Sequence, residues 1–137
     1  MRFMAFPFFI GLLVLATITS CGQGNGGTQS GSVVNLGPAE FSKAIQPKDV
    51  VLIDVRTPEE YKEGYIEDAA NLNYFGSDFE LTISSLDKGK PVYVYCASGG
   101  RSEAACEDLV KTGVKMVYNL SGGMEAWRTQ KLPVNQP

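Results

Sequence analysis

An α/β fold is the class this sequence predicts, and three observations carry that reading. Short apolar runs alternate with amphipathic stretches from residue 33 onward, the pattern of strands and helices taking turns along a chain. Two of the runs, Val50-Val51-Leu52-Ile53-Asp54-Val55 and Pro91-Val92-Tyr93-Val94-Tyr95-Cys96, are apolar at nearly every position. Strands buried on both faces have that composition, as in the interior of a parallel sheet covered by helices. The whole chain has 137 residues with 44% hydrophobic content, which allows one modest domain.

Taken in order, Val33-Val34-Asn35-Leu36 reads as a first strand. Pro38 can open a helix at its first turn, giving Ala39 to Ile45 with Phe41 and Ile45 at i and i+4 on one face. The run 50–55 is a strand, Ala69-Ala70-Asn71-Leu72 a short one, and 91–96 the second candidate for the sheet interior. Residues Arg101 to Thr112 place Ala105, Cys106, Leu109 and Val110 on one side of a helix and Glu103, Glu107, Asp108 and Lys111 on the other, with Gly113 as a stop. Met116-Val117-Tyr118-Asn119-Leu120 is another strand. A last helix should begin at Ser121, with its hydroxyl as the cap, and run through Met124, Ala126 and Trp127 to about Lys131 before Leu132-Pro133.

Composition excludes several kinds of chemistry. There is no histidine, so no Ser-His or Cys-His nucleophile pair and no imidazole zinc site can form; no metal site and no cofactor are expected. The net charge is -3 and no basic run is present, which argues against nucleic acid as a partner. The three cysteines, at 21, 96 and 106, contain no CxxC pair.

The first 20 residues form a separate object. Arg2 precedes an apolar run from Phe3 to Ile18 that is interrupted only by Pro7, Gly11 and Thr17, the plan of a secretory signal. The run ends in Ile18-Thr19-Ser20-Cys21, which resembles the lipobox of bacterial lipoproteins. That resemblance implies a diacylglycerol thioether on Cys21, which becomes the mature N-terminus. Residues 22–32, GQGNGGTQSGS, hold no apolar surface and read as a flexible tether. The expected organisation is therefore a signal peptide at 1–20, a lipidated Cys21 and tether at 21–32, and a domain at 33–137. Such a protein sits in the bacterial cell envelope, outside the cytoplasm, anchored to the bilayer and not inserted in it.

Cys96 ends a buried strand and is followed by Ala97-Ser98-Gly99-Gly100-Arg101-Ser102, which leads into a helix. A short turn with two glycines can fold its backbone N–H groups around the sulfur, and the helix N-terminus adds partial positive charge. Both favour a thiolate, the nucleophilic form. Burial in apolar surroundings opposes this, so the amides are expected to prevail with the sulfur in a mouth open to donors. Arg101 is the cation of this loop, placed to hold a donor's anionic tail, to brace the loop, or simply to pair with an acidic surface residue. Cys106, on the apolar face of the following helix, reads as a buried small hydrophobe. Arg56 and Glu60, one helical turn apart, read as a scaffold pair, and Trp127 and the strand tyrosines as packing.

Four segments, in this order and spacing, resemble the rhodanese-like family over roughly residues 33–135. They are Leu52 to Tyr61 (LIDVRTPEEY), Glu63-Gly64-Tyr65-Ile66 with Ala69-Ala70-Asn71, Tyr95 to Ser102 (YCASGGRS) and Leu120 to Trp127 (LSGGMEAW). The resemblance implies a five-stranded parallel sheet flanked by helices on both faces, with the active loop at the carboxyl end of a central strand. It implies sulfur transfer as well: Cys96 takes a sulfane sulfur as a persulfide, and Ala97, Ser98, Gly99, Gly100 and Arg101 line the binding loop. A small donor such as thiosulfate or a polysulfide and a thiol or cyanide acceptor follow, with the protein expected to be a monomer. It also implies that Gly122-Gly123 lets the last helix approach closely.

Two departures stand out: Tyr65 occupies a position that is often histidine in the family, and Ala97 one that is often basic. They keep open a non-catalytic sulfur carrier or interaction module. Dual-specificity phosphatases and arsenate reductases of this fold carry Cys-x5-Arg, whereas Cys96 and Arg101 are spaced Cys-x4-Arg. The smaller cradle suits one sulfur atom better than a tetrahedral oxyanion.

Overall fold

The computed structural model describes residues 31–136. Ten elements alternate along the described residues: β1 (Ser32–Leu36), α1 (Pro38–Ala44), β2 (Val51–Asp54), α2 (Pro58–Lys62), β3 (Ala70–Asn71), α3 (Phe79–Ser85), β4 (Val92–Tyr95), α4 (Gly100–Lys111), β5 (Met116–Leu120) and α5 (Gly123–Thr129). The strands form one five-stranded sheet in the order β1-β5-β4-β2-β3, and every pairing is parallel. The α/β parallel sheet expected from the sequence is the fold of the molecule.

The two apolar runs became neighbours in the sheet, with Val51 opposite Val92 and Asp54 opposite Tyr95. All four residues of β4 are buried, and period-two alternation sends them to different layers. Val92, Val94 and Cys96 join Ile53, Phe79, Ile83, Ala105, Cys106 and Leu109 in one core, under α3 and α4. Tyr93 and Tyr95 join Phe41, Leu120, Met124 and Trp127 in the other, under α1 and α5. Phe41 presents edge-to-face contacts to Tyr93 at 5.5 Å and Trp127 at 6.4 Å between ring centroids, geometry that suits the ring quadrupoles. The Trp127 indole N–H donates to the Pro133 carbonyl at 2.9 Å, so this residue and the strand tyrosines are packing, as their sequence positions suggested.

Five details differ from expectation. Strand β1 begins at Ser32, inside the stretch read as tether, because its N–H reaches the Lys115 carbonyl at 3.2 Å and continues the register with β5. Helices α2 and α3 escaped the sequence reading for a common reason: α2 buries no residue and α3 only Phe79 and Ile83, so neither writes a long apolar stripe. Ser121 does not cap α5. The N-cap is Gly122 in the left-handed region, with no side-chain cap, and the Ser121 N–H instead donates to Leu36 at the end of β1. Finally, Arg56 and Glu60 are not a pair. Arg56 precedes α2 and forks onto Asp54, with its Nη2 2.6 Å from Asp54 Oδ2 and 2.7 Å from the Gly64 carbonyl. Both charged side chains are almost fully buried.

The segment 1–20, Cys21 and most of the tether lie outside the described residues. Among the described residues no helix is long and apolar enough to cross a membrane.

Candidate active site

Cys96 follows the last residue of β4, the strand at the centre of the sheet, and thus emerges at the carboxyl edge where ligands bind in open α/β sheets. Its Sγ accepts the Gly99 N–H at 3.1 Å. That bond needs Gly99 at φ +116°, a conformation L side chains rarely adopt. Gly99 is also the N-cap of the 12-residue α4, and its carbonyl accepts the Glu103 N–H and the Ser102 hydroxyl, each at 3.0 Å. The loop is held from the other side by α5: Met124 N–H donates to the Cys96 carbonyl at 2.9 Å and Glu125 N–H to that of Ala97 at 3.0 Å. The close approach expected of Gly122-Gly123 is this contact. A Cβ on Gly123 would lie 2.6 Å from the Ala97 oxygen.

The sulfur does not sit in an open mouth; Cys96 is 1% exposed. Ser98 and Gly100 are exposed while Ala97 and Gly99 are half-buried, so the backbone of the loop shields the sulfur. Burial pushes the Cys96 thiol up, but the polar groups of the loop, Ser102 with the Gly99 and Ser98 amides, outweigh it, and the net direction is down. The thiolate is therefore favoured by donors packed around it and not by access to water.

Arg101 is committed to Glu60. Its Nη1 and Nη2 donate to Glu60 Oε2 and Oε1 at 2.6 and 2.7 Å, a fork-on-fork pair joining residues 41 apart in sequence. The same carboxylate accepts the Thr57 N–H at 2.9 Å while Thr57 Oγ1 accepts the Glu60 N–H at 3.3 Å, a capping box on α2. Glu60 thereby braces the Cys96 loop against α2, so Arg101 has an acidic partner, and that pair braces the loop. The Arg101 hydrogen bond, against burial and with help from Thr57, lowers the Glu60 carboxyl to about 2.

Cys106 is fully buried, and burial holds its thiol up at about 12; it behaves as the small hydrophobe its helix position indicated. Tyr65 stacks on Tyr61 with centroids 4.3 Å apart, and its backbone pairs with Asn135 at 2.9 and 2.8 Å. A cavity of about 590 Å³ lined by Ile45, Gln46, Val50, Trp127 and Pro133 includes no loop residue, so the chemistry is not housed there. No group of three or more Cys, Asp or Glu that could hold a metal occurs among the described residues. Two contributors escaped sequence reading. Glu60 reads in sequence as the partner of Arg56 and holds Arg101 instead, and the signal for Ser102, whose hydroxyl binds the Gly99 carbonyl, is a hydroxyl in the first turn after the loop.

A cysteine at a parallel strand's end, wrapped by the amides that open the next helix, is the architecture of a protein that stabilises an anionic sulfur. Residues 37–130 match the family model described as rhodanese-like domain, and the chain belongs to that family. A sulfurtransferase of Allochromatium vinosum is 40% identical over 90 residues, covering 66% of this chain and 82% of that protein. The thiosulfate sulfurtransferase GlpE of Pseudomonas syringae is 38% identical over 93 residues, covering 67% and 85%. Among solved structures, a rhodanese-related protein of Thermoplasma volcanium has a TM-score of 0.67 at 29% identity, with 76% of this chain and 99% of that chain covered. A rhodanese-like domain protein of Staphylococcus aureus gives 0.60 at 33% identity, covering 69% and 90%. The chain is an enzyme, a rhodanese-type sulfurtransferase.

Proposed function

We propose that Cys96 is the nucleophile of a lipid-anchored, extracytoplasmic sulfurtransferase. The observation that carries the reading is the Gly99 N–H aimed at Cys96 Sγ from 3.1 Å at the entrance to α4. The Cys96 thiolate attacks the sulfane sulfur of a donor. The Cys96 S–S bond forms as the donor's S–S bond breaks, and the electron pair leaves with sulfite from thiosulfate or with the shortened chain from a polysulfide. A thiol or cyanide acceptor then attacks the outer sulfur and returns Cys96 as thiolate. No strong general acid is needed, since both leaving groups are stable anions, and the loop amides supply the electrostatic stabilisation.

The donor side follows from charge. Arg101 is spent on Glu60 and position 97 is alanine, so the loop attracts a dianion weakly and a less charged sulfane donor, such as a protein persulfide, is the better match. Anchoring through Cys21 keeps a monomeric domain at a membrane surface, on the periplasmic face or the cell exterior. It would act on donors that arise outside the cytoplasm.

Treating the full chain with thiosulfate and with polysulfide and weighing it intact should give a gain of one sulfur that cyanide removes and that Cys96→Ser abolishes. Absence of the gain with either donor overturns the reading. For the anchor, a labelled fatty acid supplied to producing bacteria should mark the wild type and spare Cys21→Ser; equal labelling of both removes it.

A further inference from the structure

We propose that the amino edge of the sheet is a basic face that lies against anionic lipid headgroups and turns the Cys96 loop away from the membrane. The inference rests on the envelope placement proposed above, and its test leaves out both the acyl chain and the sulfur chemistry so that the readings can fail separately.

In an all-parallel sheet each crossover leaves a carboxyl strand end and returns to the amino edge before the next strand begins. The charges of this domain are sorted along that axis. First turns of helices carry Glu40, Glu59, Glu60, Glu80, Glu103 and Glu125, towards the edge where Cys96 emerges. Last turns carry Lys43, Lys111 and Arg128. The turns into β2, β4 and β5 add Lys48, Lys88, Lys90 and Lys115, and Lys131 follows α5. Trp127 and Pro133 line one cavity with Gln46, Lys48 and Val50, which puts the end of α5 at the same amino edge. Helix dipoles account for the charges in the last turns but not for the lysines in the turns between elements. Lys131 even holds a left-handed position, φ +54°, where glycine is the usual residue.

Neutralisation from within the protein is partial. Asp49 pairs with Lys90 at 2.7 Å and Asp108 with Lys111 at 2.8 Å. Asp87 precedes Lys88 in its turn, and Glu67 and Asp68 share the cavity rim with Lys48. Lys43, Lys115, Arg128 and Lys131 are exposed and have no carboxylate partner among the described residues. Arg56 and Arg101, by contrast, are spent on Asp54 and Glu60, so the Cys96 edge offers an anionic surface nothing comparable.

The entry of the tether selects the partner. Residues 22–30 lead to Gly31 and Ser32, and the Ser32 N–H meets the Lys115 carbonyl at 3.2 Å, so an anchor at Cys21 draws this edge towards the bilayer. The stretch from Cys21 to Ser32 spans at most about 40 Å, which keeps the face within reach of the headgroups. Met116, 40% exposed beside Lys115, adds apolar contact at their level. Each cation near an anionic leaflet strengthens binding about fivefold.

The experiment uses the full chain with Cys21→Ser, sedimented with vesicles of phosphatidylcholine alone or with about one-third phosphatidylglycerol. The segment 3–18 is common to every sample, so the ratio of binding to the two vesicles is read. It should be about a hundredfold at about 0.1 M salt and disappear at about 1 M. Lys115→Gln/Lys131→Gln and, separately, Lys43→Gln/Lys48→Gln should each lower the ratio about tenfold. Glu59→Gln/Glu80→Gln, at the other edge, should leave it unchanged. Equal binding to both vesicles, a ratio that neither lysine pair lowers, or one that the glutamate pair alters as strongly overturns the proposal. Tighter binding to duplex DNA than to the phosphatidylglycerol vesicles at the same salt overturns it too. On those vesicles Lys115 and Lys131 should be shielded from a water-soluble acetylating reagent, read by peptide mass; equal labelling on and off vesicles overturns the orientation. Failure to gain sulfur or to take up fatty acid would remove those earlier readings and leave the face; loss of vesicle selectivity with sulfur gain intact would remove only the face.

Discussion

At Gly123 the backbone has φ +56°, and a Cβ would crowd the carbonyl oxygens of Cys96 and Ala97, the acceptors that α5 uses to hold the reactive loop. Neither oxygen can retreat without giving up its bond to Met124 or Glu125. Gly123→Ala should therefore destabilise the fold by about 1–3 kcal/mol in urea denaturation and lower the persulfide yield at the same time. A variant with unchanged stability and yield would show the contact to be dispensable. Cys106 is the opposite case, a thiol in the same core as Cys96 with no polar task. Cys106→Ala should cost about 1 kcal/mol and leave sulfur transfer intact. Loss of turnover in a folded Cys106→Ala protein would assign that thiol a chemical role.

Among the elements, α2 illustrates how a helix with no buried residue earns its place. Its first turn supplies Glu60, which closes a capping box with Thr57 and clamps Arg101 of α4. Glu60 has a folded value of about 2 against an ordinary 4.5, so it is depressed. Its contribution is fully present above its ordinary range and disappears as pH falls from there towards about 2. With both partners partly solvated, at 22% and 32% exposure, the contribution is about 1 kcal/mol. Denaturation of Glu60→Gln should show a weaker pH dependence in that acid window than the wild type; parallel curves would mean the pair adds nothing. The end of β2 holds the stronger pair. Removing the Asp54 charge in Asp54→Asn strands the Arg56 guanidinium in a nearly solvent-free setting and should cost about 3–5 kcal/mol, measurable by thermal melting. A melting temperature near that of the wild type would contradict the burial argument.

For the molecule as a whole, the order β1-β5-β4-β2-β3 puts the strand that bears Cys96 at the centre, with helices on both faces. Every loop leaving a carboxyl strand end can then converge on it. The proposed division at the tether makes a prediction at this scale: proteolysis within residues 22–30 should release a domain that still forms the Cys96 persulfide. Loss of persulfide formation after the cut would mean the N-terminal region takes part in the fold.

Much of this architecture is local in origin and therefore readable from residues alone. The apolar runs at 50–55 and 91–96 became interior strands because their own side chains leave no wet face. The stripe Ala105, Cys106, Leu109 made α4 for a similar reason, and the Cys96 to Arg101 turn announced its glycines and its helix. Packing between distant segments decided the rest. Arg101 met Glu60 across 41 residues, and Arg56 turned to Asp54 instead of Glu60 because β2 ends beside it in a buried site. Gly122 replaced Ser121 as the cap of α5 because that helix had to abut the Cys96 loop. The sulfur's burial and its Gly99 donor likewise depend on α4 and α5 closing over β4, since hydrogen bonds in an interior are set by which surfaces meet and not by the order of residues along one strand.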